Sequence, residues 1–192
     1  MNGHLTWYVA RAAGIVTWAL LVASMIWGLL YATRVFRRRV SLWWLLGVHR
    51  FLGALAVVFT AVHVVALLSD SFIGFGVRDV LVPFTSSWHP IAVGWGIIAM
   101  YLLVAIELTS LLKARLPYRV WRSVHLTSYP VFAIATIHGL SSGTDVKVVV
   151  TSGLGVAFGA IAIAISVIAL DQRMTEAPRR PVPGPRSPAE FG

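Results

Sequence analysis

Residues 49–63 read HRFLGALAVVFTAVH, an apolar run with a histidine at each end. Ionisable side chains are costly inside a bilayer, so their presence there points to a job. Residues 125–138, HLTSYPVFAIATIH, repeat the arrangement. At about 1.5 Å of rise per residue, separations of 14 and 13 residues put the two histidines of each helix roughly 20 Å apart. That places one in each leaflet of a hydrocarbon layer about 30 Å thick. The pattern predicts two stacked metal centres, each held between two helices.

The rest of the chain suits that setting. Of 192 residues, 58% are hydrophobic and 12% charged, which excludes an ordinary soluble domain and predicts one integral membrane domain. Cysteine is absent, which excludes disulfides, thiolate zinc sites, iron–sulfur clusters and haem attached through cysteine. The formal charge of +9 comes largely from Arg and Lys flanking the apolar runs, where they set topology and attract anionic lipid. No nucleic-acid partner is expected.

In chain order, an outer segment over 1–11, with His4 and Arg11, precedes a first span over 12–33. A second span covers 42–68. Asp70, Gly74, Gly76, Arg78, Asp79 and Pro83 punctuate residues 69–90, which predicts an interfacial loop with one amphipathic turn. The third helix starts at Pro90, tolerated at a first helical position, and ends at Lys113. The fourth covers 118–140 and the fifth 146–170, where Gly155 and Gly159 form a close-packing pair. Residues 171–192, rich in Pro and Arg, read as a disordered cytoplasmic tail.

Arg34, Arg37, Arg38, Arg39, Arg50, Lys113, Arg115, Arg119, Arg122, Arg173, Arg179, Arg180 and Arg186 share one side, against Arg11, Arg78 and Lys147 on the other. The excess marks the first side as cytoplasmic, with the N-terminus outside and the C-terminus inside. The second and fourth helices then both run outward. His49 falls at the height of His125 near the cytoplasmic end, and His63 at the height of His138 near the outer end.

Two facing imidazoles satisfy the axial positions of a porphyrin iron, whereas zinc takes four protein ligands or three plus water. Geometry therefore favours haem as the occupant of each level. Gly53, Ala54, Ala56, Ala133 and Ala135 beside the histidines leave room for a flat ring. Arg50 and Arg122 are the expected partners of the inner propionates. The expected fold is all-α, a five-helix transmembrane bundle over 12–170 with haem sites between the second and fourth helices.

Helical geometry leaves one mismatch. At about 100° per residue, a 14-residue separation returns to within about 40° of one face, but 13 residues fall about 140° away. Pro130 cannot donate to the carbonyl of Leu126, which predicts a kink that turns His138 toward the second helix. Glu107 is expected to pair with Arg119 or Arg122. His89, just before Pro90, reads first as an interfacial helix start.

HRFLGALAVVFTAVH and YRVWRSVHLTSYPVFAIATIHG, with Trp-Arg ahead of the first histidine of the second, resemble the ferric reductase-like transmembrane domain family over residues 12–170. That family includes the membrane parts of NADPH oxidases and the haem subunit of a bacterial methionine sulfoxide reductase. The resemblance implies a cytochrome of the bacterial cell membrane, in which His49 with His125 ligate an inner and His63 with His138 an outer of two b-type haems. Such a protein passes single electrons from a cytoplasmic or quinol donor to an outer acceptor such as ferric iron or an oxidised partner. The first of the family's six helices has no counterpart here. No glycine-rich dinucleotide fingerprint is present either, so a separate flavoprotein or a quinol is the expected donor and the chain reads as an electron-transfer subunit. The rivals are a proton or divalent-metal transporter using the histidines as a polar ladder, and a structural anchor whose histidines only bond across helices.

Overall fold

The computed structural model describes residues 3–33, 40–71 and 73–143. The expected fifth span, its glycine pair, Lys147, the tail, and Arg34, Arg37, Arg38 and Arg39 lie outside these residues. All regular structure among the described residues is helical: α1 (Gly3–Thr33), α2 (Leu42–Leu68), α3 (Val77–Leu81), α4 (Pro90–Leu111), α5 (Tyr118–Leu126) and α6 (Ser128–Ser142), with a single 3-10 turn at Lys113–Arg115. α1, α2 and α4 are long and apolar enough to cross a membrane, which makes this a multi-pass membrane protein.

α1 starts about two turns earlier than the hydropathy suggests. Its first turns are held by packing along α2 and by Thr6, whose hydroxyl donates to Asp70 at 3.0 Å. Tertiary contact extends a helix into residues that apolarity alone would leave out. Ser41 caps α2 by accepting the Trp44 N–H at 3.2 Å. Asp70, only 3% exposed, also accepts the Ile73 N–H at 3.1 Å and so ties the outer loop to the start of α1. Asp70→Ala strands these donors and is expected to cost about 1–3 kcal/mol, read as a lower melting temperature in detergent.

The amphipathic turn expected after α2 is α3. Phe75 and Val80 pack on Val93 and Ile97 of α4, and the Tyr101 hydroxyl donates to the Leu81 carbonyl at 2.5 Å. The predicted interruption of the fourth span also occurs. The helix breaks at Thr127, where the backbone N–H turns to the Val124 carbonyl at 3.0 Å and the side chain bonds the same oxygen at 2.6 Å. Pro130, with no N–H to offer Leu126, is the physical cause.

Packing is organised in two hairpins. α1 lies along α2, and α4 lies along α6. α1 also touches α6, but α2 makes no extensive contact with α5 or α6. The histidine-bearing helices are therefore each backed by a partner helix, and face each other across a gap.

Candidate functional site

Across that gap the structure brings the histidines together in the predicted pairs. His49 and His125 have ring centroids 5.9 Å apart with planes at 77°. His63 and His138 are 6.4 Å apart at 85°. A metal held axially between two imidazoles puts their centroids roughly 6 Å apart, two bonds of about 2 Å plus the half-width of each ring. The rewinding at Thr127 thus supplies the rotation that 13 residues of unbroken helix would not.

The backing helices fix the rings by one repeated device. His49 Nδ1 lies 2.9 Å from the Ser24 carbonyl, His63 Nδ1 2.7 Å from the Ala10 carbonyl, and His138 Nδ1 2.8 Å from the Ala92 carbonyl. A carbonyl only accepts, so in all three the proton sits on Nδ1 and the Nε2 lone pair is left for a ligand. The oxygen of residue i in a helix sits beside residue i+4, so an imidazole reaching it must lie over that residue. In each case that residue is a glycine. A Cβ on Gly28 would come within 3.0 Å of the His49 ring, on Gly14 within 3.2 Å of the His63 ring, and on Gly96 within 2.6 Å of the His138 ring.

These three glycines were not among the residues the sequence singled out. A signal for two of them exists, because Gly14 and Gly28 are separated by the same 14 residues as His49 and His63, as antiparallel α1 and α2 require. The third is paired only through α4.

Midway between the two levels lies an apolar layer. Leu103, Ile106 and Val131 are buried together, with Leu21, Val57 and Val124 packed against them and Ala56 fully covered beside Val57. Trp18 stacks on Phe132 at 6.4 Å and donates to Thr136. Outside this layer a cavity of about 450 Å³ opens onto His63 and His138, within the range of roughly 300–1,000 Å³ that cofactor sites occupy. Its walls are mostly apolar, and Arg11 and Trp7 line it as well. Arg11 thus brings a guanidinium to the wall of this cavity, although the sequence reading placed it in the outer segment.

The other expected residues fall out as follows. Arg50 and Arg122 are exposed beside the inner pair in sequence. Glu107 lies against Gly53, where a Cβ would come within 3.0 Å of its carboxylate, and Arg50 is the cation that acts on it rather than Arg119 or Arg122. His89 is the exposed, left-handed residue that starts α4 and joins neither pair.

Among the described residues no group of three or more His, Asp or Glu side chains gathers at either level. Two nitrogen donors facing across an apolar slot suit a tetrapyrrole, which brings four nitrogens of its own, better than a bare zinc ion.

The fold and the site together define a helical, multi-pass membrane protein with two levels of paired intramembrane histidines. The sequence model of the ferric reductase like transmembrane component matches residues 11–136, about two thirds of the chain, and the protein belongs to that family. The match covers His49, His63 and His125 and stops two residues short of His138. No curated protein and no solved structure matches the chain.

Proposed function

We propose that the protein is a dihaem b-type membrane cytochrome that carries single electrons from the cytoplasmic side to an outer acceptor. The observation that supports this most directly is the facing of His49 with His125 and His63 with His138 at ring spacings of 5.9 and 6.4 Å. A haem held at each level by these pairs would supply an iron that gains and loses one electron.

The chain's own residues do the rest. Nδ1–H bonds from His49, His63 and His138 to helix carbonyls hold the rings in the ligating tautomer and raise their basicity. Arg50 and Arg122 at the inner level, and Arg11 at the outer, supply cationic partners for propionates. The apolar layer between the levels keeps water and ions out of the path while leaving electrons free to cross. The donor is a separate flavoprotein or a quinol, and the acceptor is ferric iron or an oxidised protein. The inner level faces the cytoplasm in this reading, which the excess of Arg and Lys on that side of the sequence supports.

The apolar cluster of Leu21, Val57, Leu103, Ile106 and Val131 between the levels supports an electron path over a transporter path, which would need polar groups there to hand the ion on. The bonds from His49, His63 and His138 to Ser24, Ala10 and Ala92 do run across helices, as the anchor reading requires. What favours the cytochrome over it is that the same histidines also stand in two facing pairs.

The test is absorbance. Purified protein loaded with haem is expected to show a Soret band and a reduced b-type spectrum, with two haems per chain. His63→Ala and His138→Ala each remove one haem's share. A correctly folded, colourless protein overturns the proposal.

A further inference from the structure

Three of the four imidazoles are pinned, and the fourth is not. His125 Nδ1 is buried and makes no hydrogen bond. α4 runs on from Gly96 at the outer level to the inner level without offering a second glycine: four turns along stand Thr109 and Ser110. Thr109 donates its own hydroxyl to the Ala105 carbonyl at 2.7 Å, taking up the acceptor one turn behind it, and the Ser110 hydroxyl is buried without a partner. The carbonyl–glycine device is therefore missing at this one position.

What His125 has instead is a ring contact. It stacks on Trp121 at 5.1 Å with planes 21° apart, and the Lys113 ammonium sits over the far-reaching indole at 3.8 Å. Its backbone also lies two residues before the break at Thr127, where the helical ladder is interrupted. Swinging His49, His63 or His138 away would break an N–H to carbonyl bond in a low-dielectric setting, where its loss is costly. Swinging His125 breaks none.

Building on the dihaem reading, we infer that His125 is an exchangeable axial ligand and that the inner centre, alone of the two, accepts a small neutral diatomic ligand in its place. Trp121 is the positioning residue that holds His125 against this exchange. The outer centre, with both rings pinned, stays closed.

Full-length protein loaded with two haems is reduced with dithionite and exposed to carbon monoxide, and its absorbance is followed. One haem of the two is expected to respond. The response persists in His138→Ala, which lacks the outer pair. Trp121→Ala speeds it several-fold, and Trp121→Phe, which keeps a ring to stack on, restores the wild-type rate. A protein that holds two haems but responds at neither, at both, or only while His138 is present overturns this inference and leaves the dihaem reading standing. Failure to take up haem at all overturns that reading and this inference with it.

Discussion

Gly96→Ala is expected to strip the outer haem from the protein and leave the inner one in place. The added methyl would lie 2.6 Å from both Cε1 and Nδ1 of His138 and 2.9 Å from Cγ. Non-bonded carbon atoms rest about 3.5–4.0 Å apart, so the ring has to move by close to an ångström. It has nowhere good to go, because its Nδ1–H is committed to the Ala92 carbonyl one turn back on the same helix. Keeping the bond means accepting the clash, and relieving the clash breaks the bond and releases the tautomer. Overpacking of this kind costs about 1–3 kcal/mol, equivalent to a loss of roughly five- to 150-fold in affinity. Gly47→Ala, two residues before His49, meets nothing within 4 Å and serves as the control that retains both haems. Gly14→Ala and Gly28→Ala, with closest approaches of 3.2 and 3.0 Å, are expected to weaken their sites by a few-fold only. The measurement is haem per polypeptide after a desalting column. Two haems retained by Gly96→Ala at wild-type affinity would mean that His138 does not act in the observed orientation.

The contrast between histidines and glycines also marks what can be read from residues alone. The four histidines were legible because each is a polar anomaly in an apolar run, and their heights followed from counting Arg and Lys on either side. The kink was legible because the 13-residue spacing fails on an unbroken helix and Pro130 stands where a repair is needed. What fixes the rings was not legible. The acceptors are backbone carbonyls, which leave no trace in residue type, and a glycine in a membrane helix has many ordinary uses. Only the antiparallel register of α1 on α2 turns Gly14 and Gly28 into ring seats. Arg11 escaped notice for a related reason. Hydropathy assigns it to a segment outside the membrane, but packing on α2 extends α1 back to Gly3 and brings the arginine to the cavity wall. Glu107 shows the same limit, since helix-face counting offered Arg119 and Arg122 while the fold sets it against α2, beside Gly53 and under the influence of Arg50.

In sealed vesicles with ferricyanide trapped inside and dithionite outside, the wild-type protein is expected to bleach the ferricyanide, and His49→Ala and His63→Ala are each expected to stop it. The two levels act in series. About 14 residues of helix, roughly 20 Å, separate His49 from His63, with the apolar cluster of Leu21, Val57, Leu103 and Val131 between them. Losing either centre therefore opens the circuit, even though each variant retains the other haem. A pair of independent sites would behave differently: each single variant would keep part of the rate, in proportion to the haem it retains. A proton or metal pathway would differ again, because the trapped ferricyanide would not be reduced at all while a pH-sensitive dye in the same vesicles would respond. Ferricyanide reduction that survives both substitutions would place the electron path somewhere other than the four histidines, and the reading of this bundle as a transmembrane electron conductor would then fail.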